Sequence, residues 1–307
     1  MSNLHKLLED YLATRHAMGY KLQHAGRRLL EFIEFLLAQG SSFVTIKLSL
    51  EWATKPSETS PQWKSKRLSL VRQFALYAHA FDPRTQIPPP SLIPYSRQRP
   101  HPYIYSQADI DKVLNAARSH TDSLIASTHV TLIALIAVTG MRVGEAIRLD
   151  RHDIDYDRGI LVVRQTKFGK SRELPLHPST IEALRAYAYF RDRHLPVQHA
   201  SSFFLSRRGK RLIYQNVHFK FHRFINQAGL ANRRPRRPRI HDLRHSFAVR
   251  ILIDWHRAGV EVQSRLPLLS TYMGHVDPAM TYRYLTAVPE LLILVSERAQ
   301  RTPEVRS

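Results

Sequence analysis

Four separated segments carry polar side chains in positions that helix or strand formation does not require. They read TGMRVGE at 139–145, QTKFGK at 165–170, IHDLRHSFA at 240–248 and MGHVDPAMTYRYL at 273–285. Their arginines and lysines can bind an anion, their histidines can exchange protons near neutral pH, and their tyrosines carry a hydroxyl that can act as a nucleophile. These four segments are therefore the candidates for chemistry in the sequence.

Each segment also has a structural interpretation when it is taken alone. Arg142 follows an apolar helix, but a surface arginine paired with Glu145, three positions on, explains it too. His241 and Arg244 are three positions apart and share a helix face, and such a pair alone is more often a surface cluster than a site. His245 is the better candidate for a histidine with only a structural role.

The charge of the chain points to a polyanionic partner. Its 307 residues include 46 Lys and Arg against 25 Asp and Glu, a formal net charge of +21. A positive field suits nucleic acid, but it also suits acidic membranes or a ribosomal environment, so the motifs must choose among them. Because the sequence has no cysteine, it excludes disulfides and a thiolate nucleophile, and a metal site would need histidines and carboxylates.

Several kinds of segment are excluded by pattern. The N-terminus interleaves charges with leucines, unlike a signal peptide, and the most apolar stretch, 124–140, is short for the roughly 20 residues of a membrane span. This stretch predicts a buried core helix instead.

The sequence FGKS ends like a P-loop, but Arg164 stands where its first glycine would be needed. We expect no cofactor, no metal, no membrane partner and a cytoplasmic location.

The first part of the chain is predicted to be a helical bundle. Apolar residues recur at helical spacing in three places, over 4–12, 29–37 and 68–80. The placement of Arg67 and Arg72 predicts a bundle that keeps its cations outside. Seven prolines between Asp82 and Pro102 deny a helix its donors, and they predict a linker over 82–102.

The second part is predicted to mix helices with a small sheet. Ser106 and Asp109 have the spacing of a capping box, so helices resume there. GILVVR and RELPL flank the turn-like KFGK and predict a β-hairpin. The run RRPRRPR at 233–239 is favoured as a phosphate contact over a solvated loop. The expected fold is mainly α with a small β-hairpin (α+β), in two domains, 1–95 and 103–307.

Together the motifs resemble those of the tyrosine recombinase, or phage integrase, family. The shared features are TG-x-R-x-GE, a hairpin lysine, H-x-L-R-H, GH, and a tyrosine nine positions after the GH histidine. Five elements in the right order are far more specific than any one, and they span nearly the whole second domain. The interval from His241 to His275 is longer than the family pattern. The first domain resembles the core-binding (SAM-like) domain only in its general pattern, and the resemblance implies a two-domain DNA clamp.

The resemblance also implies the roles of particular residues. The catalytic set is Arg142, Lys167, His241, Arg244, His275 and Tyr284. The two arginines would grip the scissile phosphate, and the tyrosine would form a 3′-phosphotyrosine. His241 would accept the tyrosine proton and Lys167 would protonate the departing 5′ oxygen, with neither metal nor ATP.

Two catalytic assignments have competitors nearby in the sequence. Tyr282 lies two residues from Tyr284, and positions two apart on a helix point roughly 200° apart, so at most one can face the phosphate. The family spacing selects Tyr284. Lys170 flanks the same turn as Lys167, and Lys167 is favoured.

The implied function is site-specific recombination, as in the integration or transposition of a mobile genetic element. The implied partners are double-stranded DNA sites, a homo-tetramer docked through the tail 285–299, and accessory DNA-bending or directionality proteins. One alternative is a type IB topoisomerase-like enzyme, which would relax supercoils as a monomer. Another is a catalytically silent DNA-binding protein, which the intact catalytic set disfavours.

Overall fold

The chain forms two compact units separated within the proline-rich segment. The computed structural model describes residues 3–20, 22–55, 57–94, 102–164, 171–195, 200–233 and 237–274. The first unit is Met1–Arg99 and the second is Pro100–Ser307.

The first unit is a helical bundle around one apolar core. Within its described residues it contains α1 (Asn3–Ala17), α2 (Gln23–Ala38), α3 (Ile46–Thr54) and α4 (Pro61–His79). The helices predicted from apolar spacing are confirmed. The starts of α3 and α4 follow capping rules, because Thr45 and Ser60 accept backbone N–H groups of the first turns and Pro61 takes the first helical position.

The expectation that this bundle keeps its cations outside is wrong for Arg67. This arginine is 9% exposed, and its guanidinium carbon lies 3.5 Å from the ring centroid of Trp52 and 4.7 Å from that of Trp63. It also donates to the Trp52 carbonyl at 2.8 Å. Two aromatic faces attract the buried cation, while burial and the neighbouring Arg28 lower its pKa.

The beginning of the proline-rich segment is packed onto the first unit. The backbone N–H of Gln86 donates to the Val44 carbonyl at 2.8 Å, and its side-chain oxygen accepts from Ile46 at 2.9 Å. Residues 82–94 contain no helix or strand, as their prolines predict. This part of the segment is therefore fixed to the bundle by hydrogen bonds.

The second unit surrounds a small sheet with helices. Its described helices are α5 (Gln107–Arg118), α6 (Ser123–Thr139), α7 (Val143–Arg148), α8 (Pro178–His194), α9 (Tyr214–Gln227), α10 (Asp242–Arg257) and α11 (Val262–Met273). The predicted capping box of Ser106 and Asp109 is confirmed at the start of α5. The apolar stretch forms α6, which packs into the main core as predicted. None of the helices in the described ranges combines the length and apolar character of a membrane span.

The predicted hairpin is confirmed as part of a three-stranded antiparallel sheet. The strands β1 (Ile154–Asp155), β2 (Ile160–Val163) and β3 (Arg172–Pro175) pair in the order β1-β2-β3. Val163 lies opposite Arg172, so these two residues form the last described pair of the hairpin. The two-residue β1 was not predicted, because so short a strand has no measurable alternation.

Gly140 ends α6 and lets the chain turn directly towards α7. Its φ of +62° lies in the left-handed region, and a Cβ atom there would overlap the Phe247 ring. Glycine is required both for the backbone conformation and for the close approach of α10.

Replacing Gly140 should therefore destabilise the second unit twice over. Gly140→Ala adds a left-handed residue, which costs about 1–2 kcal/mol, and overpacks the Phe247 contact, which costs about 1–3 kcal/mol more. Urea unfolding would measure the loss. Gly259→Ala is the matched control, since Gly259 has a φ of +71° but no atom within 4 Å of its added Cβ. Equal losses in both variants would contradict the proposed role of the Phe247 contact.

Candidate active site

Arg142 stands at the start of α7, where the chain leaves the core helix α6. Its backbone N–H donates to Glu145 Oε2 at 2.9 Å, which is half of a capping box. Its guanidinium donates through Nη1 to Glu145 Oε1 at 2.8 Å and through Nη2 to the Gly274 carbonyl at 3.0 Å. With 35% of its side chain exposed, Arg142 also presents part of its five-donor group to solvent. The ion pair with Glu145 that the sequence suggested therefore exists, but the Glu145 side chain is buried and not at the surface.

Glu145 is a buried carboxylate shared by two arginines. Its side chain is 2% exposed, and Arg172 of β3 donates to it through Nη2 at 2.8 Å and Nη1 at 3.3 Å. Burial by itself raises the pKa of a carboxyl group, but the hydrogen bonds and charges of Arg172 and Arg142 outweigh it and hold the pKa of Glu145 at about 2. The carboxylate is thus ionised at neutral pH and fixes both guanidinium groups.

Arg244 reaches the same region from the first turn of α10. It is 2% exposed, and it donates through Nη1 to the Gly140 carbonyl at 2.8 Å and through Nη2 to the Met273 carbonyl at 2.7 Å. These bonds join the end of α6 to the end of α11. The preceding turn is held by Asp242, which pairs with Arg239 at 3.0 Å and is fully buried.

Three consecutive carbonyl groups at the end of α11 each accept from a different arginine. Arg172 Nε donates to the Tyr272 carbonyl at 2.8 Å, Arg244 to that of Met273 and Arg142 to that of Gly274. The last carbonyls of a helix lack partners within the helix and carry partial negative charge, so cations are favoured there. The two predicted arginines thus meet at one helix end.

His241 lies beside this cluster at the N-cap position of α10. Its imidazole keeps an exposed edge and lies edge-on to the His245 ring, with centroids 5.2 Å apart. Partial desolvation, followed by the positive charges of Arg244 and Arg239, lowers the pKa of His241. The neutral imidazole therefore predominates at neutral pH, and it can accept a proton. The pKa of His245 is lowered to about 4, mainly by burial, so His245 is also neutral.

Three of the six predicted catalytic residues are described, and the structure brings Arg142, His241 and Arg244 together. Lys167, His275 and Tyr284 lie outside the described residues, as do the competitors Lys170 and Tyr282. Two of these residues, His275 and Lys167, lie close in sequence to described residues that contact the arginine cluster. Gly274 precedes His275 directly in the sequence, and Arg172 on β3 follows the segment 165–170, to which Lys167 belongs.

Sequence reasoning missed the role of Arg172 and gave Glu145 only the part of a surface partner. These residues are 27 positions apart, so no local spacing rule joins them. One available signal was the alternation in β3, where Leu174 is buried and Arg172, two residues earlier, shares its face.

In the run at 233–239, which was favoured as a phosphate contact, Arg237 and Arg239 bond to Asn226 and Asp242, so intramolecular partners hold these two arginines.

A group of possible metal ligands occurs away from these arginines. Oxygen or nitrogen atoms of Asp150, His152 and Asp153 lie within 4.8 Å of one another. However, Asp150 accepts from Arg211 at 2.6 Å, and Asp153 accepts from Arg164 at 2.5 Å. A cation would have to displace these guanidinium groups, so we assign the group no metal.

Similarities to known proteins extend over most of the chain. Residues 105–290 match the model of the phage integrase family. Integrase/recombinase y4rB of Sinorhizobium fredii is 40% identical over 314 residues, with 100% of both chains covered. Tyrosine recombinase XerD of Caulobacter vibrioides is 30% identical over 236 residues, 76% of this chain and 73% of that protein. The fold resembles that of the Tn1549 transposon integrase in complex with transposon right end DNA, with a TM-score of 0.68, 18% identity and coverage of 97% and 99%.

The buried carboxylate should make stability depend on pH. Because folding depresses the pKa of Glu145 from 4.5 to about 2, its stabilising effect is complete above pH 4.5 and is lost as the pH falls towards 2. At about 1.4 kcal/mol per pKa unit, Glu145→Gln should lower the free energy of unfolding by about 3 kcal/mol at pH 7. The difference from wild type should shrink at pH 3, as measured by urea unfolding.

The control for this prediction is Glu173→Gln, which removes an exposed carboxylate from β3. It should change the free energy of unfolding by less than about 0.5 kcal/mol. A cost for Glu145→Gln that stays constant from pH 7 to pH 3 would show that the charge of Glu145 does not stabilise the fold.

Proposed function

This chain belongs to the phage integrase family and is a site-specific tyrosine recombinase, and from this premise we propose that Tyr284 cleaves DNA through a 3′-phosphotyrosine bond. The observation that carries the proposal is the meeting of Arg142 and Arg244 beside His241. The family match covers residues 105–290 and thus all six proposed catalytic positions. The substrate is double-stranded DNA, in keeping with the charge of +21.

Arg142 and Arg244 bind the two non-bridging oxygens of the scissile phosphate. Guanidinium groups suit this task because they donate paired hydrogen bonds to phosphate oxygens. Both are fixed by carbonyl groups before DNA binds, so they need little reorganisation when negative charge builds up on the five-coordinate phosphorus. The loss of one such donor typically lowers the rate by about a hundred- to a thousandfold.

The reaction exchanges one phosphate ester for another. The oxygen of Tyr284 forms a bond to phosphorus, and the bond from phosphorus to the 5′ oxygen breaks. His241 accepts the tyrosine proton and Lys167 gives a proton to the 5′ oxygen, while His275 adds a further hydrogen bond to the phosphate. Because the ester bond is conserved, a 5′-hydroxyl from another strand reverses the step without ATP.

Strand exchange requires several protomers on paired sites. We assign the assembly as a homo-tetramer on two DNA sites, with the segment 285–299 docking onto a neighbouring protomer. The task is the movement of a mobile genetic element in the cytoplasm, with accessory DNA-bending or directionality proteins. The net charge of the chain and the family match support the DNA partner. Crosslinking on DNA would test the assembly.

The nucleophile can be tested by trapping the covalent intermediate. A nicked suicide duplex, selected from a random library by binding to the wild-type protein, should give a covalent protein–DNA band on a denaturing gel. Tyr284→Phe should abolish the band because no phenol remains to attack phosphorus, whereas the control Tyr282→Phe should retain it. A band that persists with Tyr284→Phe would move the assignment to another tyrosine. Relaxation of supercoils by an isolated monomer would favour a topoisomerase.

The proposed base predicts a pH dependence of cleavage. Because the neutral form of His241 accepts the proton and its pKa is lowered, the rate should fall on the acid side with a midpoint below 6.5. Single-turnover cleavage from pH 5 to pH 8 would measure it. In His241→Gln the rate should be lower and this acid limb should disappear, whereas the control His152→Gln, at an exposed histidine, should keep it. An unchanged limb in His241→Gln would exclude His241 as the base.

A further inference from the structure

A cavity of about 470 Å³ in the second unit lies between α6, α9 and the segment 205–213. Its volume falls in the range of ligand pockets. Apolar side chains such as Ile125, Leu212 and Val217 form part of its wall. The cations on its wall are Arg207, Arg208, Lys210, Arg211 and Lys220. None of its lining residues belongs to the proposed catalytic set, so we call it the basic cavity.

Three of these cations stand on an ordered turn. Leu205 pairs with Arg211, and the backbone N–H of Ser206 donates to the Lys210 carbonyl at 2.8 Å. Gly209 closes the turn with a φ of +66° and a bond to the Ser206 carbonyl. The turn therefore fixes the backbone positions of the exposed residues Arg207, Arg208 and Lys210 before any partner binds, which lowers the backbone entropy lost on binding.

The cations of the basic cavity are only partly balanced, since Arg211 pairs closely with a carboxylate, that of Asp150 at 2.6 Å, whereas among the described residues Arg208 and Lys210 do not. The residues that line it include no aspartate or glutamate. Arg207 lies 3.5 Å from Asp122, but its side chain is 79% exposed and such a contact is weak. In the described ranges no ion pair involves Arg208 or Lys210. A cavity with an apolar wall and unbalanced cations fits a sugar–phosphate unit, whose sugar is weakly polar and whose phosphate is anionic.

The basic cavity also has a defined position relative to Arg142. Arg211 donates to the carbonyls of Ile147 at 3.0 Å and Leu149 at 3.4 Å, at the far end of α7. Because α7 starts directly after Arg142 and a helix rises about 1.5 Å per residue, the two ends are about 10 Å apart. Arg211 is therefore anchored one short helix away from the backbone of Arg142, and the basic cavity lies in the neighbourhood of the proposed catalytic residues.

We propose that the basic cavity binds DNA sugar–phosphate units that flank the scissile phosphate. The inference rests on the proposed function, because the scissile phosphate is placed by Arg142. These contacts carry no base specificity; they set the register of the duplex relative to the catalytic residues. The matching ligand is the DNA backbone itself rather than a free nucleotide.

The test is a double variant, Arg208→Gln with Lys210→Gln, compared with the control Arg185→Gln with Arg193→Gln. Both remove two exposed cations, and the control pair lies on α8. Fluorescence anisotropy would measure affinity for the duplex over a range of salt concentrations. The test variant should bind more weakly and its slope of log K against log salt should become shallower by about 1 to 2, since each neutralised phosphate contributes about 0.9.

Position is tested with neutral methylphosphonates placed one at a time along each strand. At one or more phosphates that flank the cleavage site, a substitution should weaken wild-type binding and should have no further effect on the test variant. The same effect in the test and control variants, or a set of sensitive phosphates that is identical in the wild type and the test variant, would overturn the inference. Binding of an acidic peptide to the turn that carries Arg208 and Lys210, with no change in DNA affinity, would also overturn it.

The proposed function is judged separately, with wild-type protein only. Covalent trapping by the wild type together with equal behaviour of the two double variants would reject the basic cavity as a DNA contact and leave the proposed function standing. Absence of the covalent band in the wild type would reject the proposed function, and with it the register assigned to the basic cavity.

Discussion

The end of α11 is the point on which the geometry of the site depends. Its last carbonyl groups accept hydrogen bonds from Arg172, Arg244 and Arg142, which come from a strand, a helix and a helix start. A helix end leaves these carbonyls without partners inside the helix, so buried guanidinium groups satisfy them and are themselves satisfied. The same bonds that end the helix thus orient the arginines. Movement of the α11 end would therefore shift all three arginines. It would also shift the start of the next segment, because His275 follows Gly274 directly in the sequence.

The arginine cluster keeps a net positive charge, because it contains only one buried glutamate among its described residues. Arg142, Arg172 and Arg244 supply three positive charges, and Glu145 supplies one negative charge, which leaves two positive charges. Asp242 does not alter this sum, because Arg239 pairs with it. A phosphodiester carries one negative charge, and its five-coordinate transition state carries more. In the proposed reaction, an excess of cations fixed in a partly buried site would therefore favour the transition state over the ground state.

Local sequence patterns predicted the elements of the site, and they could not predict the contacts between distant elements. The core helix α6, the hairpin of β2 and β3 and the capping box of α5 follow from residue spacing and turn chemistry within short segments. The bond from Arg172 to Glu145 and the burial of Arg67 depend on the packing of separate elements. The catalytic roles of all six residues of the proposed set were inferred from the family resemblance, and they remain predictions.

Two glycines connect the helix ends to the arginines. Gly140 and Gly274 both adopt left-handed conformations after α6 and α11, and their carbonyls accept from Arg244 and Arg142. At both positions a side chain has no room, since the ring of Phe247 or the guanidinium of Arg172 occupies the space that a Cβ would need. The turn that ends each helix also brings its carbonyl to an arginine. The arginines are thus held by backbone groups, whose positions are set by the packed helices, and for the proposed function this would limit the reorganisation needed when a phosphate binds.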